Sequence, residues 1–339
     1  MSAVDTTSLP THTAGRTGDR PSGRDIAAAT AQRFGASLVL GLVLIIGSGV
    51  FGGSFASREN FSNIALDASY LVLIATGMTF VIISGGIDLS VGSMVALAGV
   101  LCAFGARWGT AGAVLLPLVA CALLGLINGI LVGRARMAPF IVTLASLLFA
   151  RGLAFAASRD GNEVRIIPSD LALTRIGQAN VLGLDAPVLV ALSAFLVGVV
   201  VLNRTRFGRA VFAIGGSEEA ATLMGQPVAR IKVTVYVLSA TLAGLAGVLV
   251  AAQTSSGLPT IGEGRELEAI AAVVIGGTLL TGGAGSLGGS LAGALLLKVI
   301  QNLINQVGTL SSYVQQVVSG AFLIVVVLVQ VYLSRRRRL

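Results

Sequence analysis

IALDASYLVLIATGMTFVII (Ile64–Ile83) runs into SGGIDLSVGS (Ser84–Ser93) and then into MVALAGVLCAFGA (Met94–Ala106). The first run has the roughly 20 residues that a helix needs to cross a bilayer, with Asp67 its one charged residue. The second run starts at Leu89 and is apolar to Ala106. A surface helix of a soluble domain alternates an apolar stripe with a polar face. Neither run has a polar face, so the solvent around them is lipid. Between them lies a glycine pair, Gly85 and Gly86, and an acid, Asp88.

The same pattern extends in both directions. Of the 339 residues 55% are hydrophobic and 11% charged, against about 25% charged in soluble domains. The 44 glycines suit helices that approach closely in a membrane. Further apolar runs fall at Ala36–Phe55, Thr110–Gly133, Pro139–Ala157, Pro187–Leu202, Val233–Ala252, Leu267–Leu280, Gly288–Ile304 and Val314–Leu333. The run Leu267–Leu280 is short enough to be broken. The expected fold class is therefore an all-α integral membrane protein, a polytopic bundle of about ten transmembrane helices, with one membrane domain over residues 36–333. Residues 1–35, rich in Thr, Gly, Pro and Arg, read as a disordered cytoplasmic tail. Residues 334–339 form a basic cytoplasmic tail. The first apolar run is too long for a secretory leader and reads as a retained helix. Cys102 and Cys121 fall inside apolar runs and read as buried free thiols.

The net charge of +8 does not call for nucleic acid, because topology accounts for it. Arg16, Arg20, Arg24, Arg33, Arg134, Arg136, Arg204, Arg206, Arg209, Arg230, Lys232 and Arg335–Arg338 collect on one side of the bundle. Arg58, Arg107, Arg159, Arg165, Arg175 and Arg265 fall on the other. The excess places both termini in the cytoplasm. Arg151 and Lys298 lie within apolar runs and read as structural, their long stems reaching an interface.

Catalytic chemistry finds little to build on. Neither lysine sits in a G-x-x-x-x-G-K-S/T phosphate loop, so this chain does not hydrolyse ATP by that route. His12 is the only histidine, which excludes a histidine-based catalytic pair in the membrane. No bound cofactor or metal is expected, and the chain does not read as an enzyme. Gly283-Ala-Gly285-Ser-Leu-Gly288 matches G-x-G-x-x-G, but no acid follows Glu268, so it reads as a turn or a packing contact.

Polar chemistry concentrates in two places. In SGGIDLSVGS, Asp88, Ser90 and Ser93 stand among glycines. They either cap the next helix or line a polar path where the backbone is broken. Asn128 and Thr143, in later runs, join this path or make interhelical hydrogen bonds. GGIDLSVGS (85–93) and GGAGSLGGS (282–290) share GGxxxxxGS, a faint internal echo. The second place is the long cytoplasmic segment 203–232. There Ser217 reads as an N-cap, Glu218 and Glu219 occupy the first turn, and Gly225 and Pro227 end a short helix. Leu223 and Met224 on that helix need a partner or a lipid surface to cover them.

SGGIDLSVGS, RTRFGRAVFAIGGSEEAATLMG (204–225) and ELEAIAAVVIGGTLLTGGAGSLGG (266–289) resemble, in this order, the ribose-type permease family of bacterial ATP-binding-cassette (ABC) sugar importers. The resemblance runs from about Asn60 to Leu333. GTLSS (308–312) and TLMG (222–225) are similar to the galactofuranose-type members. Membership implies a permease in the bacterial plasma membrane that carries a monosaccharide. The implied partners are a separate ABC ATPase subunit that uses ATP, a second permease copy or homologue, and an extracytoplasmic sugar-binding protein. It also implies that Glu219, Ala220, Ala221 and Gly225, with Glu218 beside them, match the EAA-x-x-x-G element that couples a permease to its ATPase. A related ABC permease for branched-chain amino acids and a secondary transporter remain as alternatives.

Overall fold

The structure is a computed structural model, and it describes residues 23–306 apart from Asn162 and Leu182, with scattered positions beyond. Among the described residues twelve α-helices carry the fold: α1 (Gly23–Phe51), α2 (Arg58–Ile83), α3 (Val91–Gly105), α4 (Gly109–Gly133), α5 (Pro139–Ala157), α6 (Ala172–Gly177), α7 (Ala186–Arg204), α8 (Arg206–Gly216), α9 (Glu218–Leu223), α10 (Val228–Thr254), α11 (Arg265–Ile275) and α12 (Leu287–Gln306). Strands β1 (Arg165–Ile166), β2 (Asn180–Val181), β3 (Leu184–Asp185) and β4 (Ser256–Gly257) make two short antiparallel pairs, β1 with β4 and β2 with β3. The chain is thus an all-α polytopic membrane protein. Six helical stretches among the described residues are long and apolar enough to cross a bilayer.

Each of the first nine apolar runs holds a helix. The tenth, Val314–Leu333, lies almost wholly outside the described residues, as do residues 1–22, GTLSS and the basic tail 334–339. The helix of the first run begins at Gly23, ahead of the run itself, where alanines at 27, 28, 29 and 31 favour it. The eighth run, expected to be short enough to be broken, holds only the 11 residues of α11. At 1.5 Å per residue that is about 16 Å, roughly half the hydrocarbon core. The helix closes at Gly277 (φ 88°), whose N–H donates to Val274 O at 2.9 Å, and Gly276 just before it meets the backbone of α12: a Cβ there would lie 2.3 Å from the Gly289 carbonyl carbon.

Contact registers give the helix directions. Between α3 and α4, Gly105 meets Gly112, Met94 meets Cys121 and Ser90 meets Asn128, a falling register that only antiparallel helices produce. Residues 91–133 are therefore a hairpin, bent at Gly109 (φ 79°). α3 and α10 are parallel, with Asp88 against Ser239, Val95 against Gly247 and Gly99 against Ala251. α2 and α11 both run against α12, through Thr79 and Ser290, Asn60 and Asn302, and Glu268 and Lys298.

α2 is the central helix, buried at every position from Ala68 to Ile83. α4 docks on α10 through Gly125, Gly129 and Gly133, spaced one per turn. A Cβ on Gly129 would stand 2.6 Å from the Val233 Cα, so the two backbones nearly touch. α11 and α12 are clamped by charge. Lys298, 6% exposed, puts Nζ 3.0 Å from Glu268 Oε2 and donates to Gln301 Oε1 at 2.8 Å. Gln301 donates to Glu268 Oε1 at 3.0 Å, and Arg265 lies 3.3 Å from Glu268 Oε2. Lys298 is structural as expected, yet it does so by pairing inside the bundle, not by reaching an interface.

Candidate functional site

α2, α9 and α11 end in the same way. In α2, Gly85 in the left-handed region (φ 81°) lets its N–H donate to Ile82 O at 2.9 Å, while Gly86 N–H reaches Val81 O at 3.0 Å. This glycine-closed terminus satisfies carbonyls that would otherwise face hydrocarbon. It also turns the chain so that Ile87, Asp88 and Leu89 enter the space between α4, α5 and α10.

There Asp88 is fully buried. Its Oδ1 accepts Ser90 N–H at 3.0 Å and Ser90 Oγ at 2.5 Å, and its Oδ2 accepts Ser239 Oγ at 2.9 Å. Ser90 Oγ accepts Asn128 Nδ2 at 3.3 Å, and Asn128 Oδ1 accepts the Ser146 hydroxyl. Thr143 Oγ1 lies 2.9 Å from Pro139 O and 3.3 Å from Ile87 O, and Tyr236 OH reaches the same Ile87 carbonyl at 3.4 Å. An acid at this depth is tolerable because three donors meet its oxygens, so neither is buried without a partner.

Asp88, Ser90 and Asn128 are thus linked as one network, and Thr143 stands beside it on the Ile87 carbonyl, all four buried. Ser93 stands one turn along, also buried, and its hydroxyl has no protein partner. Asp88 does not cap α3: the N-cap is Ser90, whose side chain makes no capping bond. It closes a tight turn on the N–H two residues on. The network's fourth wall was not foreseen. Ser239 and Tyr236 sit in an apolar helix with nothing local to single them out.

A second polar group lies next to it. The segment 256–264 descends along α3, with Gly257 against Gly99 and Gly262 against Gly92. It delivers the N-terminus of α11 to the first turn of α3. Glu266 Oε2 lies 2.0 Å from where a Cβ on Gly92 would stand, and that oxygen is buried without a protein partner. Arg151 NH1 donates to Pro259 O at 3.0 Å and lies 3.8 Å from Glu263 Oε1.

The segment 203–232 is helical nearly throughout. Thr205 caps α8, accepting Gly208 N–H at 3.2 Å, and Ser217 caps α9, accepting Ala220 N–H at 3.2 Å. Glu218 and Glu219 occupy the first turn, as expected. Gly225 (φ 76°) closes the helix through N–H donation to Thr222 O at 2.9 Å. Glu218 Oε2 lies 2.6 Å from Lys232 Nζ, fastening α9 to α10. Leu223 is 85% and Met224 68% exposed, with Glu219 and Ala220 beside them. Ala221, expected to face a partner, is fully buried in its own chain. On a helix of 3.6 residues per turn Ala220, Leu223 and Met224 share a face, and Ala221 points about 100° away.

The chain matches, over residues 60–327, the family described as branched-chain amino acid transport system / permease component. It is 40% identical to the ribose import permease protein of Bacillus subtilis over 308 residues, 90% of this chain and 94% of that protein. It is 37% identical to the fructose import permease protein of Bifidobacterium longum, over 85% of this chain and 87% of the relative. It is also 37% identical to the L-arabinose transport system permease protein of Escherichia coli, over 89% and 91%. No solved structure matches this chain. By both the family match and the length and identity of these relatives, the chain belongs to the permease components of the branched-chain amino acid transport system type.

Proposed function

We propose that this chain forms the membrane path of an ATP-driven monosaccharide importer in a bacterial plasma membrane. The observation that carries the reading is α9, a capped helix that leaves Leu223 and Met224 bare on the side where basic residues gather. Such a surface fits the groove of a separate ATPase subunit, which supplies the energy. The names of three relatives, for ribose, fructose and L-arabinose, support a sugar as the cargo. A second permease copy or homologue and an extracytoplasmic sugar-binding protein complete the assembly. Both termini then lie in the cytoplasm and residues 159–185 outside. Ile176, 59% exposed, tests that: Ile176→Cys reacts with an impermeant reagent added to intact cells, and failure to react reverses the orientation.

The cargo passes the meeting point of the α3 and α11 N-termini. Ser93 and Glu266 keep oxygens without protein partners there, free for sugar hydroxyls. Asp88, Ser90, Asn128 and Thr143, already satisfied, shape the wall behind. The family description favours a second reading, branched-chain amino acids. Uptake of labelled ribose, fructose, arabinose and leucine by cells expressing the complete importer separates the two. ATP-dependent pentose or hexose uptake supports the first, and leucine uptake alone overturns it.

A further inference from the structure

Three turns of the chain meet at one point with no side chain between them. The carbonyl of Ile83, last residue of α2, accepts Gly283 N–H at 2.9 Å from the turn between α11 and α12. Gly215, in the last turn of α8, presses on that bond from a third direction. A Cβ on Gly215 would fall 1.7 Å from Ile83 O and 2.5 Å from Gly283 N. Gly282 (φ 84°) packs on the same spot, its Cβ position 3.0 Å from both Gly215 O and Gly85 Cα. These contacts are backbone on backbone, so no rotamer change can relieve them. α8 is also held to α2 by Phe207 and Phe80, ring centroids 6.1 Å apart, and buries Val211 and Ile214.

Position gives the junction its meaning. Ser217, the cap of α9, is two residues past Gly215. Gly85 is three residues before Asp88, and Gly282–Gly283 precede the hairpin helix α12 that holds α11 through Lys298 and Glu268. We infer that Gly215 is the positioning residue that fixes α9 rigidly to both broken turns, so that displacement of α9 shifts the α2–α3 and α11–α12 turns together. This rests on reading α9 as the ATPase contact.

The test compares Gly215→Ala with Gly216→Ala in the complete importer. A Cβ on Gly216 meets nothing within 4 Å, so that variant serves as control. Neither touches the exposed face of α9, so both co-purify with the ATPase. Gly215→Ala loses sugar uptake and sugar-stimulated ATP hydrolysis by about tenfold or more, a typical coupling free energy, while Gly216→Ala keeps both. Wild-type uptake by Gly215→Ala overturns the inference. Loss of the ATPase from a variant altered at Leu223 or Met224 speaks to α9 alone, so the two readings fail separately. If Gly215→Ala does not assemble, hydrogen exchange on the unmodified importer decides. Trapping with ATP and vanadate changes exchange in peptides covering 82–90 and 278–288 along with 215–224. A change confined to 215–224 overturns the inference.

Discussion

The turn between α2 and α3 and the turn between α11 and α12 follow the same backbone recipe and are held by different physics. Each begins with a glycine-closed helix end, at Gly85 and at Gly277 (φ 88°), and each leads into a helix carrying the GGxxxxxGS echo. The first turn is filled by a carboxylate: Asp88 gathers Ser90 and Ser239, and through Ser90 reaches Asn128. The second has no acid. Ser286 Oγ accepts Gly289 N–H at 3.0 Å, and Gly276, Gly289 and Gly293 bring α11 and α12 into backbone contact. A buried acid can exchange partners when something moves, whereas fused backbones move as one. The first turn is suited to respond and the second to transmit.

That contrast can be broken from its rigid side with the largest effect. A Cβ on Gly289 would stand 1.9 Å from Gly276 O, so Gly289→Val forces the hairpin open. Overpacking of this kind costs about 3 kcal/mol or more where no side chain can yield. Membrane-inserted protein, measured by detergent extraction and size exclusion, should fall severely. Next in size is the charge clamp. Lys298→Met leaves Glu268 only Arg265 and Gln301, at a cost of about 1–3 kcal/mol. Glu268→Gln added to it should recover much of the lost thermal stability. A double variant no better than the single one would show that the pair does not hold the hairpin. The smallest effect belongs to Asp88→Asn, which keeps size and can still bond both hydroxyls, at about 1–2 kcal/mol. Assembly should persist and sugar uptake fall; uptake unchanged at matched protein level would leave Asp88 a purely structural turn.

Reading the sequence brought out the helices because lipid leaves a coarse mark: twenty apolar residues look alike whatever they pack against. It brought out the caps of α9 and the glycine that ends it, because those depend on neighbours in sequence. Hydropathy extended the eighth run to Leu280 because it counts apolar residues, whereas α11 ends at Gly277, whose left-handed backbone (φ 88°) leaves no mark on hydropathy. Ala221 could not be oriented, since which face of a six-residue helix turns inward is set by what it rests on. Ser239 was invisible because its only distinction is to stand opposite Asp88, 151 positions away.

The central claim is that α9 joins this permease to an ATPase, and the exposed pair tests it most directly. Leu223→Asp with Met224→Asp leaves the Ser217 cap, Gly225, the Glu218–Lys232 bond and buried Ala221 in place, so the protein should insert at its normal level. Co-purification of the ATPase subunit with this variant is the measurement. Loss of the ATPase together with ATP-driven sugar uptake is the predicted result. Retention of the ATPase with full uptake would contradict the claim.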